Sequence, residues 1–587
     1  MFKKLLFTVF ALLLSASAYA QSGSLTGQIT DAETGEPLIG ATVYIESINR
    51  GTQSDVDGNY TINGVDAGTY TVSYRYVGYV TVNEVVEIGS GTVTRNVELS
   101  VDVVGLDEFV VSGYAVQQKR EVTGSISTVS SQDLENVSLQ NTESLLQGRA
   151  AGVNITTTSG NPGGAFRVNI RGNGSINAAT EPLYIVDGVQ ISFAQLSSQA
   201  STSPLNTLNP SDIESIEVLK DAASAAIYGA QAAAGVVIIT TKDGTAGPTQ
   251  ITARAETGVR SLANNVDYIN SDQYVDYMGE GWALNAGVTP GGDYSAYEDG
   301  YRNFFLSFFG SPVEAGDQLA NTNWQDFIFD EGVTQKYNVS ASGGNSSTTF
   351  RISGGYESTE GTAFNSDFTR LNLRTNIDHE LAQNWRTSVR LNISRSGQTG
   401  VCQDGNFINC PPSQAMFEAP MSFPYQFDGS YNPNTRFGLS NNPAVQANEV
   451  DRNNTVTQIL SSIRLQYQAN DWLSFNGSLN VDYRNTQDEQ YRSAIAAPAQ
   501  DGWVSFANRN VENYQSNLIA NASKTFDGVH AVSGFAGVEY RSDYSESQVT
   551  RGDGLPGPFF TVLSATSTPV TAAGINSEWR QASYFGN

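Results

Sequence analysis

Few residues in this chain are suited to catalysis, and their spacing excludes most familiar chemistries. Its 587 residues hold two histidines, His379 and His530, and no HExxH pair. Zinc hydrolysis and Ser-His-Asp acyl transfer therefore lack their central groups. The 59 carboxylates supply acidic pairs by number alone, so counting does not identify a glycosidase pair. Asp55-Val56-Asp57-Gly58 opens like a calcium loop, but its glycine is fourth and Asp66 stands twelfth. An EF-hand needs glycine sixth and glutamate twelfth, so this stretch reads as a turn. The glycine-rich SGNPGGAFRVNIRGNG lacks the GK[ST] ending of a phosphate loop. Its glycines are expected to permit close backbone packing or turns. Cys402 and Cys410 lie close together in VCQDGNFINC, with neither histidine nearby in sequence. In an exported chain this spacing favours a local disulfide over a metal site or two free thiols. No metal, cofactor or catalytic residue is expected.

Export is read from the first residues. Lys3 and Lys4 precede an apolar run from Leu5 to Leu14, and Ala18-Tyr19-Ala20 supplies a cleavage site. Residues 1–20 thus form a signal peptide, too short and too closely followed by polar residues to span a membrane. Gln21 rather than Cys follows the cleavage site, which argues against a lipid anchor. The net charge of −27 opposes nucleic acid as a partner. No later apolar run reaches 18 residues, which leaves no helical span. A membrane β-barrel remains open, because its strands hide hydrophobicity in alternation.

The elements that would position any site fall into four parts. Residues 24–100 contain short alternating strands separated by TGEP, DVDG and GVDAG turn signals, the pattern of a β-sandwich. Residues 101–118 form a linker carrying LDEFVVSGYAVQQKRE, a short apolar strand with polar and basic flanks. Residues 119–245 are mixed α/β. NTESLLQGRAAGV reads as a short helix with Asn141 as its cap, PLYIVDGVQI as a hairpin turning at Asp187-Gly188, and SIEVLKD to GVVIITTK as strand, helical turn, strand. From 246 to 587, long strands alternate. Leu371, Leu373, Thr375 and Ile377 interleave with Arg370, Asn372, Arg374 and Asn376; Leu473, Phe475, Leu479 and Val481 interleave with Ser474, Asn476, Ser478 and Asn480. One apolar face and one charged face fit lipid outside and a wet or plug-filled lumen inside. Long polar insertions at 264–335, 397–452 and 487–509 alternate with links as short as Ala469-Asn470-Asp471. About ten strands are expected, the last beginning in ASYFGN. An open barrel would expose unpaired backbone to lipid, so the sequence is expected to be the N-terminal part of a longer protein.

In this order the four parts resemble the SusC/RagA-type TonB-dependent transporters. The resemblance rests on LDEFVVSGY, LQGRAAGV, SGNPGGAFRVNIRG, PLYIVDGV, DIESIEVLKDAASAAIYG and GVVIITTK. Residues 24–100 separately resemble the carboxypeptidase regulatory-like domain, an immunoglobulin-like sandwich without catalytic residues. The resemblance implies a mainly β protein: sandwich, α/β plug over 119–245, and the first part of an antiparallel transmembrane barrel over 246–587. It makes Asp107, Glu108, Phe109, Val110, Val111, Ser112, Gly113 and Tyr114 the TonB box, a peptide able to add a strand to its partner's sheet edge. It offers Arg149, Arg167, Arg171, Asp187 and Lys220 as polar contacts between plug and barrel. The implied partners are TonB with its inner-membrane complex, a SusD-like surface lipoprotein, outer-membrane lipid, and an oligosaccharide or peptide ligand, with siderophore or vitamin uptake and adhesion as rivals. The chain departs from the family at Ala230-Gln231-Ala232-Ala233-Ala234-Gly235, where an Arg and then an Asn commonly precede that glycine. The loop aromatics Tyr294, Tyr297, Tyr301, Phe304 and Phe305 are expected to pack their own loop in preference to stacking on sugars.

Overall fold

Alternation with period two, not a run of apolar residues, organises most of this chain. The computed structural model describes residues 22–586 apart from 33–34, 49, 77–78, 80, 101–108, 113–114, 119–125, 131–141, 159, 173–179, 192–196, 198–202, 315, 401–409, 436–441, 527–529 and 569. The expected signal peptide lies outside the described residues. No helix among those described is long and apolar enough to cross a membrane. The chain divides into two compact units at residues 123 and 124.

The first unit contains a β-sandwich. One sheet pairs Ser22–Asp31 with Asn59–Asp66, Thr92–Thr94 and Val97–Leu99. The other runs Arg50–Gln53, Thr42–Ile45, Gly68–Arg75, Val82–Ile88. Ser22–Asp31 buries every second residue, so Leu25 and Ile29 enter the core against Val43, Ile45, Val72 and Val86. Tyr60 and Tyr74 are buried there with their hydroxyls 3.2 Å apart, which satisfies polar atoms that burial strips of water. Asp55 Oδ1 accepts from the backbone of Asp57 at 3.0 Å and of Asn59 at 2.8 Å. That carboxylate closes an Asx-type turn, as its DVDG sequence predicts. Arg50–Gln53, which is polar, and Val82–Ile88, which buries Val86 and Ile88, are the edges of the second sheet.

The second unit begins with a five-stranded sheet ordered Ile126–Ser130, Ile213–Leu219, Val236–Thr241, Leu183–Val186, Val189–Ile191. Its core gathers Tyr184, Val186, Ile191, Leu205, Ile216, Val218, Val237 and Ile239. The expected hairpin is present: Leu183–Val186 pairs antiparallel with Val189–Ile191. Asp187 at φ 49° and Gly188 at φ 87° form its two-residue turn, whose twist requires positive φ at both positions. The short helix expected between Asn141 and about Gly148 is a 3-10 turn over Glu143–Leu146 with Thr142 at its cap; Asn141 lies outside the described residues. Strand, helical turn and strand follow at Ile213–Leu219, Ala222–Ala225 and Val236–Thr241, and Asp221 caps the turn by accepting from Ser224 N at 2.8 Å.

Ten long strands, from Gly247–Arg260 to Thr571–Gly586, then pair antiparallel in chain order, with no pairing of the first to the last. The burial in this sheet is inverted. In Asp367–Ala382, Arg370, Asn372, Arg374 and Asn376 are buried while Leu371 and Leu373 are 60% and 51% exposed. In Leu473–Arg492, Asn480, Asp482 and Arg484 are buried and Leu479 is exposed. On the apolar face, near the short links, Trp385 stacks on Tyr467 with centroids 4.5 Å apart, and Phe475 lies beyond. Rings gathered at one level of the apolar face match the aromatic girdle expected of a membrane barrel.

The long insertions are structured. Residues 264–335 carry helices Ser271–Asn285, Ser295–Phe309 and Trp324–Ile328. Phe305 and Phe309 are buried against Val275 and Met421, so Tyr301 and Phe305 serve the loop's own packing, whereas Phe304 is exposed. The expected insertion at 487–509 is shorter: Leu473–Arg492 and Trp503–Phe526 run on as paired strands to Arg492 and Trp503. Gln487 to Gln490 are polar on both faces of their strand end and had the composition of a loop.

Candidate functional site: the plug seat and the strand before the plug

The five-stranded unit sits against the polar face of the ten-stranded wall, and the wall supplies most of the cations. Arg374 donates through Nη2 to Asp187 Oδ2, and both side chains are at least nine-tenths buried. Asp187 also accepts from Thr241 N at 3.0 Å and Thr241 Oγ1 at 2.9 Å, which ties the hairpin turn to the neighbouring strand. Asn376 Nδ2 reaches the Lys242 carbonyl at 2.9 Å and Thr241 Oγ1 at 3.0 Å. Arg370 donates to the carbonyls of Asn206 at 3.2 Å and Leu208 at 2.9 Å, and to Glu357 at 2.5 Å. Asn209 donates to Asn338 at 2.6 Å, Gln398 to the Pro162 carbonyl at 2.8 Å, and Asn480 to the Gly188 carbonyl at 3.3 Å. Each of these groups lies in a space where an unpaired polar atom is costly, so the seat is specified by hydrogen bonds more than by apolar fit.

Of the five plug residues expected at this seat, Asp187 alone makes a described contact with the wall. Arg149 is exposed and donates to the Leu145 carbonyl at 3.1 Å, on its own turn. Arg167 is exposed and lies 3.9 Å from Glu181 within the plug. Arg171 is exposed at φ 56°. Lys220 donates to Ser127 across adjacent plug strands. The physical reason is economy of desolvation: cations on the wall meet plug carbonyls and carboxylates, while plug cations keep their water. The signal for the true partners was already present in the strand alternation, because Arg370, Arg374 and Asn376 occupy the polar face named from sequence.

Two further contacts come from the glycine-rich motif and from the alanine-rich stretch. Gly163, in the SGNPGGAFRVNIRG motif, sits at φ 70° where an added Cβ would lie 2.3 Å from the Phe368 ring. Close approach of plug backbone to the wall is therefore the use of that glycine. Gln231, within the alanine-rich departure from the family pattern, accepts from Arg541 at 2.6 Å, and Gln190 accepts from the same guanidinium.

Inside the plug, Glu143 is buried and accepts from Ser203, joining the 3-10 turn to the segment that Arg370 holds. Burial, opposed by that hydrogen bond, pushes its carboxyl up to about 7.

Before the plug in sequence, Phe109–Ser112 is a strand paired antiparallel with Ala115–Gln118 in a two-stranded sheet. The segment expected to add a strand to a partner's sheet is extended, but one of its edges is already occupied. Its other edge has no partner among the described residues. Asp107, Glu108, Gly113 and Tyr114 lie outside the described residues. Cys410 is disulfide-bonded, while Cys402 lies outside the described residues.

Comparison with known proteins places these features in context. Residues 118–236 match the TonB-dependent Receptor Plug Domain, and residues 25–111 match the CarboxypepD_reg-like domain. The chain is 30% identical over 555 residues to TonB-dependent receptor P3 of Formosa agariphila, covering 93% of this chain and 50% of that one. It is 31% identical over 493 residues to TonB-dependent receptor SusC of Bacteroides thetaiotaomicron, covering 82% and 45%. The solved RagAB peptide importer in its open-open state shares the fold, with TM-score 0.67 at 23% identity over 82% of this chain and 54% of that one. The chain spans about half the length of the curated relatives it matches.

Proposed function

Since the chain belongs to the SusC/RagA-type TonB-dependent receptors, we propose that it serves TonB-dependent import of an oligosaccharide across the outer membrane. The observation that carries this reading is the inverted burial of the wall, with arginines and asparagines turned inward onto a plug and leucines turned outward. Such a wall is built for lipid on one side and a polar, fillable lumen on the other. The domain boundaries proposed are a signal peptide at 1–20, a sandwich at 24–100, a linker at 101–118, a plug at 119–245 and barrel wall from 246.

In this mechanism ligand binds on the side of the long loops, and residues 107–114 become available to TonB in the periplasm. The free edge of Phe109–Ser112 accepts a strand from TonB, or the hairpin opens to offer both edges. Main-chain hydrogen bonds then bear tension while the plug shifts from its seat. A SusD-like lipoprotein caps the extracellular side. The seat favours a reversible shift, because its hydrogen bonds can be exchanged for water, whereas a dry apolar seat would expose apolar surface on opening. The test is deletion of residues 107–113. Uptake is expected to vanish while ligand binding at the cell surface persists; undiminished uptake overturns the assignment.

A further inference from the structure

The lumen wall carries a second polar group that the plug seat does not use. At Asp488, which accepts from Ser197 at 2.7 Å and Asn454 at 2.6 Å, the wall still touches the plug segment. Beyond it the strands continue toward their long-loop end. Register sets Arg452 opposite Gln490, Arg492 opposite Trp503, Thr486 opposite Arg509, and Ser505 opposite Arg551. All share the parity of Asp488 and so face the lumen. The alternate positions carry Asp451 and Glu489, both exposed on the outward face. On these inward positions four arginines meet two carboxylates, Asp488 and Asp553, in a chain with 59 acidic and 32 basic residues. Composition alone would favour the carboxylates.

The group is concentrated around one ring. Arg551 lies with Cζ 4.3 Å from the Trp503 centroid, and Arg492 lies 5.9 Å from it. Asp553 takes Arg551 Nε at 2.9 Å. Arg492 Nε is buried and has no hydrogen-bond partner among the described residues. Like charges on neighbouring strands repel, and a guanidinium NH without an acceptor carries a desolvation cost. An anion in the lumen would relieve both. Asn454, Gln490 and Ser505 keep the same face polar between the charges.

We infer that Arg492 and Arg551 at Trp503, with Arg452 beside Arg492 and Arg509 farther along the same inward face, form a subsite for an anionic oligosaccharide, one bearing carboxylate or sulfate groups. This names the substrate class of the import function proposed above and rests on that reading. The arginines select by charge-assisted, fork-shaped hydrogen bonds, which a neutral glycan cannot answer.

The test uses the full-length receptor in detergent and four probes of equal length: an oligogalacturonate, a sulfated carrageenan oligosaccharide, a neutral malto-oligosaccharide and an oligoglutamate. At least one anionic glycan is expected to bind, more weakly as salt rises, and the tighter of the two tells carboxylate from sulfate. R492Q and R551Q are each expected to weaken it about ten- to a hundredfold. R492K, which keeps the charge and loses the fork, is expected to bind more weakly than the parent and more tightly than R492Q, and E489Q, on the outward face, to leave affinity unchanged. Heat-modifiable mobility on a gel checks that each variant is folded. Equal or tighter binding of the malto-oligosaccharide, preference for the oligoglutamate, or no binding of either anionic glycan overturns the subsite. Those results leave the import function standing, since it falls only if deletion of residues 107–113 leaves uptake intact.

Discussion

Arg374 and Asp187 show at single-residue scale how plug and wall recognise each other. Each is buried, and removing Arg374 leaves the Asp187 carboxylate with the Thr241 hydrogen bonds but without the cation that it meets. R374A is therefore expected to destabilise the seated plug by about 3–5 kcal/mol, read as faster protease cleavage of residues 124–245 in the folded receptor. The double variant R374A/D187A is expected to recover part of that loss, because neither charge is then stranded; no recovery would show that the pair acts through other partners. Glu143 supplies a pH dependence. Its carboxyl, raised by burial from 4.5 to about 7, is held protonated in the folded plug more strongly than in the unfolded chain. The associated stability is fully present below about pH 4.5 and is lost as pH rises through about 7. A displacement of that size corresponds to on the order of 3 kcal/mol. Hydrogen exchange at Leu145 and Leu146 is expected to quicken from pH 4.5 to 7 beyond its intrinsic rise, and E143Q is expected to abolish the excess.

At the scale of elements, the wall strands carry two separable instructions. Their outward residues meet lipid and their inward residues meet the plug. L373R is expected to cost about 2–4 kcal/mol of bilayer insertion, measured by refolding into lipid vesicles, with L373A costing less. N372L, one residue along, is expected to leave insertion intact and loosen the plug, seen as protease access. Equal insertion defects in both variants would mean that the alternation does not divide lipid from lumen. The strand Phe109–Ser112 belongs to the same scale. A proline at Val110 removes a backbone donor that strand addition needs, so V110P is expected to stop uptake without changing ligand affinity.

For the whole molecule, the first unit has its own closed core of Leu25, Ile29, Val43, Tyr60 and Val72. A fragment of residues 22–100 is expected to unfold cooperatively by itself, followed by near-ultraviolet circular dichroism of Tyr60 and Tyr74; a fragment without a transition would show dependence on the second unit. What the sequence by itself determined was local and periodic. Period-two patterning marked the wall and its two faces, Asp187-Gly188 marked a hairpin turn, and the order of motifs marked sandwich, plug and wall. Strand geometry makes these legible, because alternation and positive-φ turns are imposed residue by residue along the chain. The tertiary structure decided which polar groups meet. Arg374 and Asp187 are 187 residues apart in the chain, and no spacing rule links them. It decided that Arg149, Arg167 and Lys220 stay within the plug, that Phe109–Ser112 already has a partner on one edge, and that Arg492 and Arg551 flank Trp503. These outcomes depend on the register of strands distant in sequence, because only register determines which buried donor finds an acceptor.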